Sequence, residues 1–176
     1  MKTTKCMIIA AVSWILTLWI SKIFIVSLFY KFANAPDTQH IFGTIGTWLA
    51  TFFGETFGGL FSNYGGYVIG VFELITSLVL LSPAVFFFLK KMSIMEMVPS
   101  RKMLHSTGGI MATAVMTGAA FFHLVSPLGI EVLSEGQSDG GALFYMAVSI
   151  IFSGLILFVI NGCFVGKKSL CGSSCS

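Results

Sequence analysis

The sequence predicts an all-α integral membrane protein, built as a bundle of four transmembrane helices. The chain of 176 residues is 56% apolar and only 10% charged, whereas a soluble domain carries about 25% charged residues. Four apolar runs, at 7–30, 66–89, 104–126 and 142–164, each reach the roughly 20 residues that cross a bilayer as a helix. Because lipid offers backbone groups no hydrogen-bond partner, we expect runs of this length to cross as helices. The whole chain, 1–176, is interpreted as one domain.

The basic residues predict how the bundle is oriented. Most of them fall on the side that holds both chain ends and the loop between the second and third helices. By the positive-inside rule this side is cytoplasmic, including a flexible cysteine-containing tail at 165–176. The net charge of +3 supplies no basic stripe, so we expect no nucleic-acid partner. The residues on this side are Lys2, Lys5, Lys90, Lys91, Arg101, Lys102, Lys167 and Lys168.

The first outward loop, 31–65, contains an aromatic segment, TWLATFFGETFGGLF, at 47–61. Its apolar residues recur every three or four positions, and its Thr and Glu residues take the opposite face. This pattern is typical of an amphipathic helix that lies at the membrane interface. Such a helix is either an aromatic belt with no further role or a lid over the outer surface of the bundle.

Ionisable residues inside the predicted helices are costly there and therefore indicate a functional site. At 1.5 Å per residue, Lys22 and Glu73 lie about 12 Å and about 10 Å below the outer helix ends, and His123 lies about 5 Å below. All three are therefore expected in the outer half of the bilayer. This shared depth predicts a polar pocket between the helices.

In this interpretation His123 and Glu73 are the candidate catalytic residues, because an imidazole near carboxylates can take up or pass a proton at neutral pH. Lys22 is a candidate binding residue, and Lys31, Glu131 and Asp139 form the rim of the pocket.

Structural alternatives stay open for each of these residues. Lys22 would extend to the interface if its helix is tilted. Glu73 would form a purely structural ion pair with a lysine. His123 would be a hydrogen-bonding residue between helices.

Four segments resemble the DoxX-like family, small four-helix proteins of bacterial inner membranes. They are LFYKF at 28–32, YVIGVFELITSLVLLSP at 67–83, MTGAAFFHLVSPLGIEV at 116–132 and DGGALFYMA at 139–147. The resemblance covers all four helices in order. The chain departs from the family in its extended first outward loop and in the MSIMEMVPSRKM segment before the third helix.

The resemblance implies a multi-pass protein of the bacterial inner membrane that serves redox or thiol homeostasis or a quinone-linked system. It implies a role as a membrane subunit beside an oxidoreductase, with quinone as the candidate cofactor. Inheriting such a function from a family is an argument by association. Carried over position by position, the family pattern marks Lys31, Glu73, His123, Glu131, Asp139, Gly140 and Gly141.

A second hypothesis is soft-metal handling or transport on the cytoplasmic side. Thioethers and thiolates are ligands suited to Cu(I). A third hypothesis is a non-catalytic scaffold that docks a larger enzyme in the membrane. Because a reducing cytosol disfavours disulfides, the cysteines are expected to be free of structural disulfide bonds. The candidate metal ligands are Met92, Met95, Met97, Cys171 and Cys175.

Overall fold

The computed structural model describes residues 2–94, 97–134 and 136–162, which form five α-helices and one short β-hairpin. Four of the helices, α1, α3, α4 and α5, are long and apolar enough to cross a membrane. This confirms the predicted all-α bundle of four membrane-spanning helices. The elements are α1 Lys2–Phe32, α2 Pro36–Phe53, α3 Glu55–Lys91, α4 Arg101–Val125, β1 Leu133–Ser134, β2 Gln137–Ser138 and α5 Ala142–Gly162.

Small residues bring α4 close to its neighbours in the bundle. A Cβ atom added at Gly109 would lie 2.6 Å from the backbone oxygen of Gly154 on α5. A Cβ atom at Gly108 would lie 2.6 Å from the side chain of Leu80 on α3. Close backbone approach through small residues is the usual way in which helices pack in lipid. The fully buried side chains of the core come from α1, α3, α4 and α5, and they include Ile20, Phe24, Leu80, Ala112, Ile150 and Leu157.

The two ends of the bundle differ in composition. The four tyrosines of the chain are all exposed and lie at one end, which we call the tyrosine end. Tyrosine is enriched where a helix leaves the hydrocarbon, so this end marks one membrane interface. The other end, the basic end, carries Lys5, Lys90, Lys91, Arg101 and Lys102. The tyrosines are Tyr30, Tyr64, Tyr67 and Tyr145.

The helix predicted in the first outward loop is present as α2, but its boundaries differ from the predicted 47–61. Gly54, with a positive φ of 86°, ends α2, and α3 begins at the next residue. The apolar face that α2 buries is therefore formed by Phe42, Ile45 and Leu49 rather than by the phenylalanines around Gly54.

The membrane helix α3 begins eleven residues earlier than the predicted 66, at Glu55. The α2 helix packs antiparallel along this added stretch. A Cβ atom at Gly58 would lie 2.5 Å from the oxygen of Gly46, and one at Gly46 would lie 2.6 Å from the oxygen of Gly58. The glycines that interrupt the apolar run in the sequence are thus the residues that let the two helices touch. We call this pair, 36–66, the helical hairpin.

Candidate functional site

A buried ion pair joins α1 and α3 near the tyrosine end. The Lys31 Nζ lies 2.8 Å from each of the two carboxylate oxygens of Glu73. The Ser27 hydroxyl donates to Glu73 Oε2 at 3.0 Å and accepts a hydrogen bond from Lys31 Nζ. The Glu73 side chain is 1% exposed and that of Lys31 is 16% exposed. We call this group the Lys31–Glu73 site.

Helix geometry places the three side chains of this site. Ser27 and Lys31 are four residues apart, so they share one face of α1. Gly70 lies opposite Lys31 and lets α1 come close, since a Cβ atom there would be 3.2 Å from the Phe32 ring. The Lys31 ammonium and the Ser27 hydroxyl together supply hydrogen bonds to both carboxylate oxygens of Glu73. A charged group that is removed from water needs such partners.

Lys22 does not belong to the site. Its side chain is exposed on the surface of α1, and no hydrogen bond or ion pair links it to Glu73 within the ranges that the structure describes. Lys22 is nine residues from Lys31, which is two and a half turns at about 3.6 residues per turn. The two lysines therefore lie on opposite faces of α1, and they differ in height along the helix by about 14 Å at 1.5 Å per residue.

His123 is buried at the end of α4, with 7% of its surface exposed. Its Nδ1 lies 2.7 Å from the carbonyl oxygen of Gly129 in the following loop. A carbonyl is only an acceptor, so Nδ1 carries the proton and, in the neutral ring, Nε2 is the acceptor. The ring also meets the edge of Phe144 on α5, with centroids 5.9 Å apart.

Asp139 organises the turn that leads into α5. Its carboxylate accepts hydrogen bonds from the backbone N–H groups of Val132, Gly141 and Leu143 at 2.8–3.0 Å. Burial alone would raise the pKa of Asp139, but the backbone donors at Leu143, Gly141 and Val132 and the charge of His123 outweigh it and hold the pKa below its usual value. Asp139 is therefore an ionised capping residue at neutral pH.

The remaining predicted loop residues serve the same turn. Glu131 is exposed and accepts a hydrogen bond from the Ser138 hydroxyl at 2.9 Å. Gly140 and Gly141 have φ of 61° and 78°, a left-handed conformation that glycine adopts without steric cost. A Cβ atom at Gly141 would also lie 3.1 Å from the Tyr145 ring.

The predicted residues thus divide into two groups rather than forming one pocket. The ring of Phe122, next to His123, contacts the ring of Phe61 on α3 at 5.6 Å. Glu73 is twelve residues further along α3, which is about 18 Å at 1.5 Å per residue. Across the described residues, no hydrogen bond or ion pair connects Glu73 with His123. His123 and Asp139 shape the α4–α5 loop, while the Lys31–Glu73 site holds α1 to α3.

The predicted metal ligands are only partly described. Met92 and Met97 are exposed, and Met95, Cys171 and Cys175 lie outside the described residues. Within the described ranges, no group of three or more His, Cys, Asp or Glu side chains is arranged to hold a metal ion. The thioether and thiolate site stays a prediction. Cys6, near the start of α1, is disulfide-bonded, contrary to the expectation that the cysteines are free of disulfides.

An open groove of about 590 Å³ runs along the outer face of α2. It contains none of the predicted site residues. Because it is shallow and is lined by none of those residues, we give it no role in the chemistry of the site. Its lining includes Gln39, His40, Thr44, Thr47, Trp48 and Pro127.

From the sequence alone no role is assigned to His105, which lies in the basic half of α4 and has no exposed surface. The spacing of small and apolar residues along α4 could have identified it as an inward-facing residue. Gly109, Ala112, Met116 and Ala120 follow it at intervals of three and four residues, and all four are buried. This spacing marks the face of α4 that turns inward.

Comparisons of the chain with protein-family models, with curated proteins and with solved structures returned no match. The similarity to the DoxX-like family therefore rests on the four sequence segments alone and stays a prediction.

Proposed function

We propose that this chain is a small membrane component of a redox system, and that the Lys31–Glu73 site binds the head of a quinone-like molecule. The observation that carries the proposal is a fully buried carboxylate paired with a partly exposed lysine close to a membrane interface. Intramembrane ionisable groups of this kind are expensive and are characteristic of ligand and proton sites.

The chemistry of the site fits a quinone head. A quinone carbonyl needs hydrogen-bond donors, and the site offers the Lys31 ammonium and the Ser27 hydroxyl. A ligand would meet Lys31 before Glu73, because Lys31 is the more exposed member of the pair. Reduction of a quinone consumes two electrons and two protons, and the Glu73 carboxylate can relay protons by first taking one up from outside the site and then releasing it to the ligand. The Lys31 charge would then stabilise the negative charge that develops on the quinone oxygen.

The resemblance to the DoxX-like proteins and the positive-inside rule support a location and an orientation. We place the chain in a bacterial inner membrane, with the basic end in the cytoplasm and the tyrosine end outside. The Lys31–Glu73 site would then face the outer leaflet. An oxidoreductase partner would supply or remove the electrons.

Binding of a short-chain quinone to the purified protein tests the proposal. We expect saturable binding, measured by native mass spectrometry and by quenching of tryptophan fluorescence. Glu73→Gln removes one negative charge from the site and with it a charged hydrogen bond, which is worth about 1.5–3 kcal/mol. We therefore expect quinone binding to weaken by about tenfold or more. The matched control is Glu55→Gln, an exposed glutamate at the start of α3, which should bind as wild type does. Equal affinity in both variants would remove the site from quinone binding.

A second candidate function, a scaffold for a larger enzyme, is favoured by the end of the helical hairpin. Phe52, Phe53, Phe57 and Leu60 are each 48–67% exposed. The start of α3 lies nine residues beyond Tyr64, which is about 14 Å further from the membrane. Exposed apolar surface in this position is typical of a protein contact.

Photocrosslinking in native membranes separates a scaffold from a membrane-lying hairpin. A photoreactive amino acid at Phe53 should give a discrete protein adduct, while the same group at Leu78, exposed on the middle of α3, should label lipid. Labelling of lipid alone from position 53 would show that the hairpin rests on the bilayer, and the scaffold function would be abandoned.

A further inference from the structure

The basic half of the bundle contains a second buried polar group that the proposed function does not use. His105 has no exposed surface and lies where all four membrane helices meet. Its ring packs edge-on against Trp14 of α1, with centroids 4.9 Å apart at 89°. One turn along α4, Gly108 touches Leu80 of α3, and the adjacent Ser106 approaches Gly162 of α5.

Neither ring nitrogen of His105 makes a hydrogen bond of normal length and angle to any described residue. The backbone carbonyl of Leu80 lies near the imidazole, but the two groups do not reach the distance and angle of a normal hydrogen bond. Every neutral imidazole has one donor and one acceptor nitrogen, and leaving both without partners in a buried position costs free energy. Buried polar groups of this kind are satisfied in native proteins by internal water.

The unsatisfied imidazole differs from the unsatisfied hydroxyls in the same core. Thr17, Ser21 and Ser77 are also buried without hydrogen-bond partners, but a hydroxyl in a helix can rotate to its own i−4 carbonyl. Thr76 and Thr113 do so, donating to Phe72 and Gly109. An imidazole cannot satisfy both nitrogens within its own helix, so His105 is the group that requires another partner.

Further polar groups come from the two flanking helices. Asn161 of α5 has no exposed surface and donates to the Ser13 hydroxyl of α1 at 3.1 Å. Thr17, also without exposed surface, lies one turn from both Ser13 and Trp14 along α1. Arg101, one turn below His105 on α4, has its Nη1 likewise buried without a hydrogen-bond partner. Among the residues that the structure describes, this neighbourhood therefore holds donors and acceptors for water, and no carboxylate is paired with the imidazole.

We propose that His105 binds internal water together with Thr17 and forms a buried proton-exchange site in the basic half of the bundle. In this site water donates to one ring nitrogen and accepts from the other. A proton taken up from water at one nitrogen is matched by release of the proton on the other, so the ring changes tautomer and its net charge is restored. This property is independent of quinone binding at the Lys31–Glu73 site.

Nuclear magnetic resonance of ¹⁵N-histidine-labelled protein in lipid nanodiscs tests the proposal. The chain has three histidines, so signals can be assigned with His40→Gln and His123→Gln. We expect the ring N–H of His105 to exchange with water within milliseconds. Thr17→Val removes one hydrogen bond to the water and should slow this exchange roughly tenfold, whereas Thr17→Ser should restore it. The control is Thr117→Val, whose hydroxyl is exposed and bonds within α4.

The proposal is overturned if the His105 ring N–H is as protected from water as the backbone amides of the core. It is also overturned if exchange is fast but unchanged in Thr17→Val, because Thr17 then holds no water at the ring. Quinone binding measured on the same samples is not expected to change, so this test and that of the Lys31–Glu73 site fail separately.

Discussion

Replacing Lys31 by methionine would leave the Glu73 carboxylate in the bundle with Ser27 as its remaining hydrogen-bond donor. Both carboxylate oxygens lie 2.8 Å from the Lys31 ammonium, and Glu73 is 1% exposed. Removing one partner of a buried ion pair costs about 3–5 kcal/mol, because the other charge stays buried without compensation. We therefore expect the free energy of unfolding in lipid bicelles, measured by steric trapping, to fall by about that amount.

Two further variants test the physical reason for this loss. The double variant Lys31→Met with Glu73→Leu removes both charges and should recover most of the stability, because a well-packed apolar pair replaces a buried ion pair at little cost. Lys22→Met removes a lysine from the opposite, exposed face of the same helix and should leave stability unchanged. A loss below about 1 kcal/mol in Lys31→Met would mean that the pair behaves like a surface salt bridge, and the reasoning would be refuted.

Three other predictions concern the loop and the helix contacts. The folded-state pKa of Asp139 is lowered, so its ionised form stabilises the loop at pH values above the unfolded-state pKa of about 4. This stabilisation is lost as the pH falls through the folded-state pKa. Hydrogen exchange of the loop amides should follow this dependence, and Asp139→Asn should abolish it. His123→Ala should cost about 1–3 kcal/mol by leaving the Gly129 carbonyl without its partner, and should speed amide exchange in the loop while the helices stay protected. Gly109→Ala should destabilise the bundle by about 1–3 kcal/mol through a clash with the α5 backbone, whereas Gly118→Ala, with open space around it, should cause no loss in thermal unfolding.

The membrane-spanning part of the fold could be predicted because hydropathy and length decide it. The start of α3 could not be predicted in the same way, since Gly58, Gly65 and the glycines beside them interrupt the apolar run before residue 66. In the structure, these glycines are where α2 packs on α3, and a pattern along one chain segment contains no information about its packing partner. Gly54 ends α2 for a local reason, since its φ of 86° is a conformation that a helix does not contain.

The site could be predicted in its residue types but not in its pairing. Depth below the membrane surface put Lys22 level with Glu73, whereas Glu73 pairs with Lys31, which is nine residues further along α1 and on its opposite face. The loop residues were predicted as a rim over a pocket, while their hydrogen bonds in the structure serve to hold the α4–α5 turn around His123 and Asp139. Which turn a carboxylate caps depends on backbone conformation, which spacing does not specify.

Photoaffinity labelling with an azidoquinone, followed by peptide mapping, tests most directly whether the Lys31–Glu73 site is the working site. We expect adducts within 24–32 of α1 and 70–77 of α3. The yield of these adducts should fall in the double variant Lys31→Met with Glu73→Leu, which keeps the fold. Adducts confined to the groove beside His40 and Trp48, or labelling that is equal in the double variant, would contradict it.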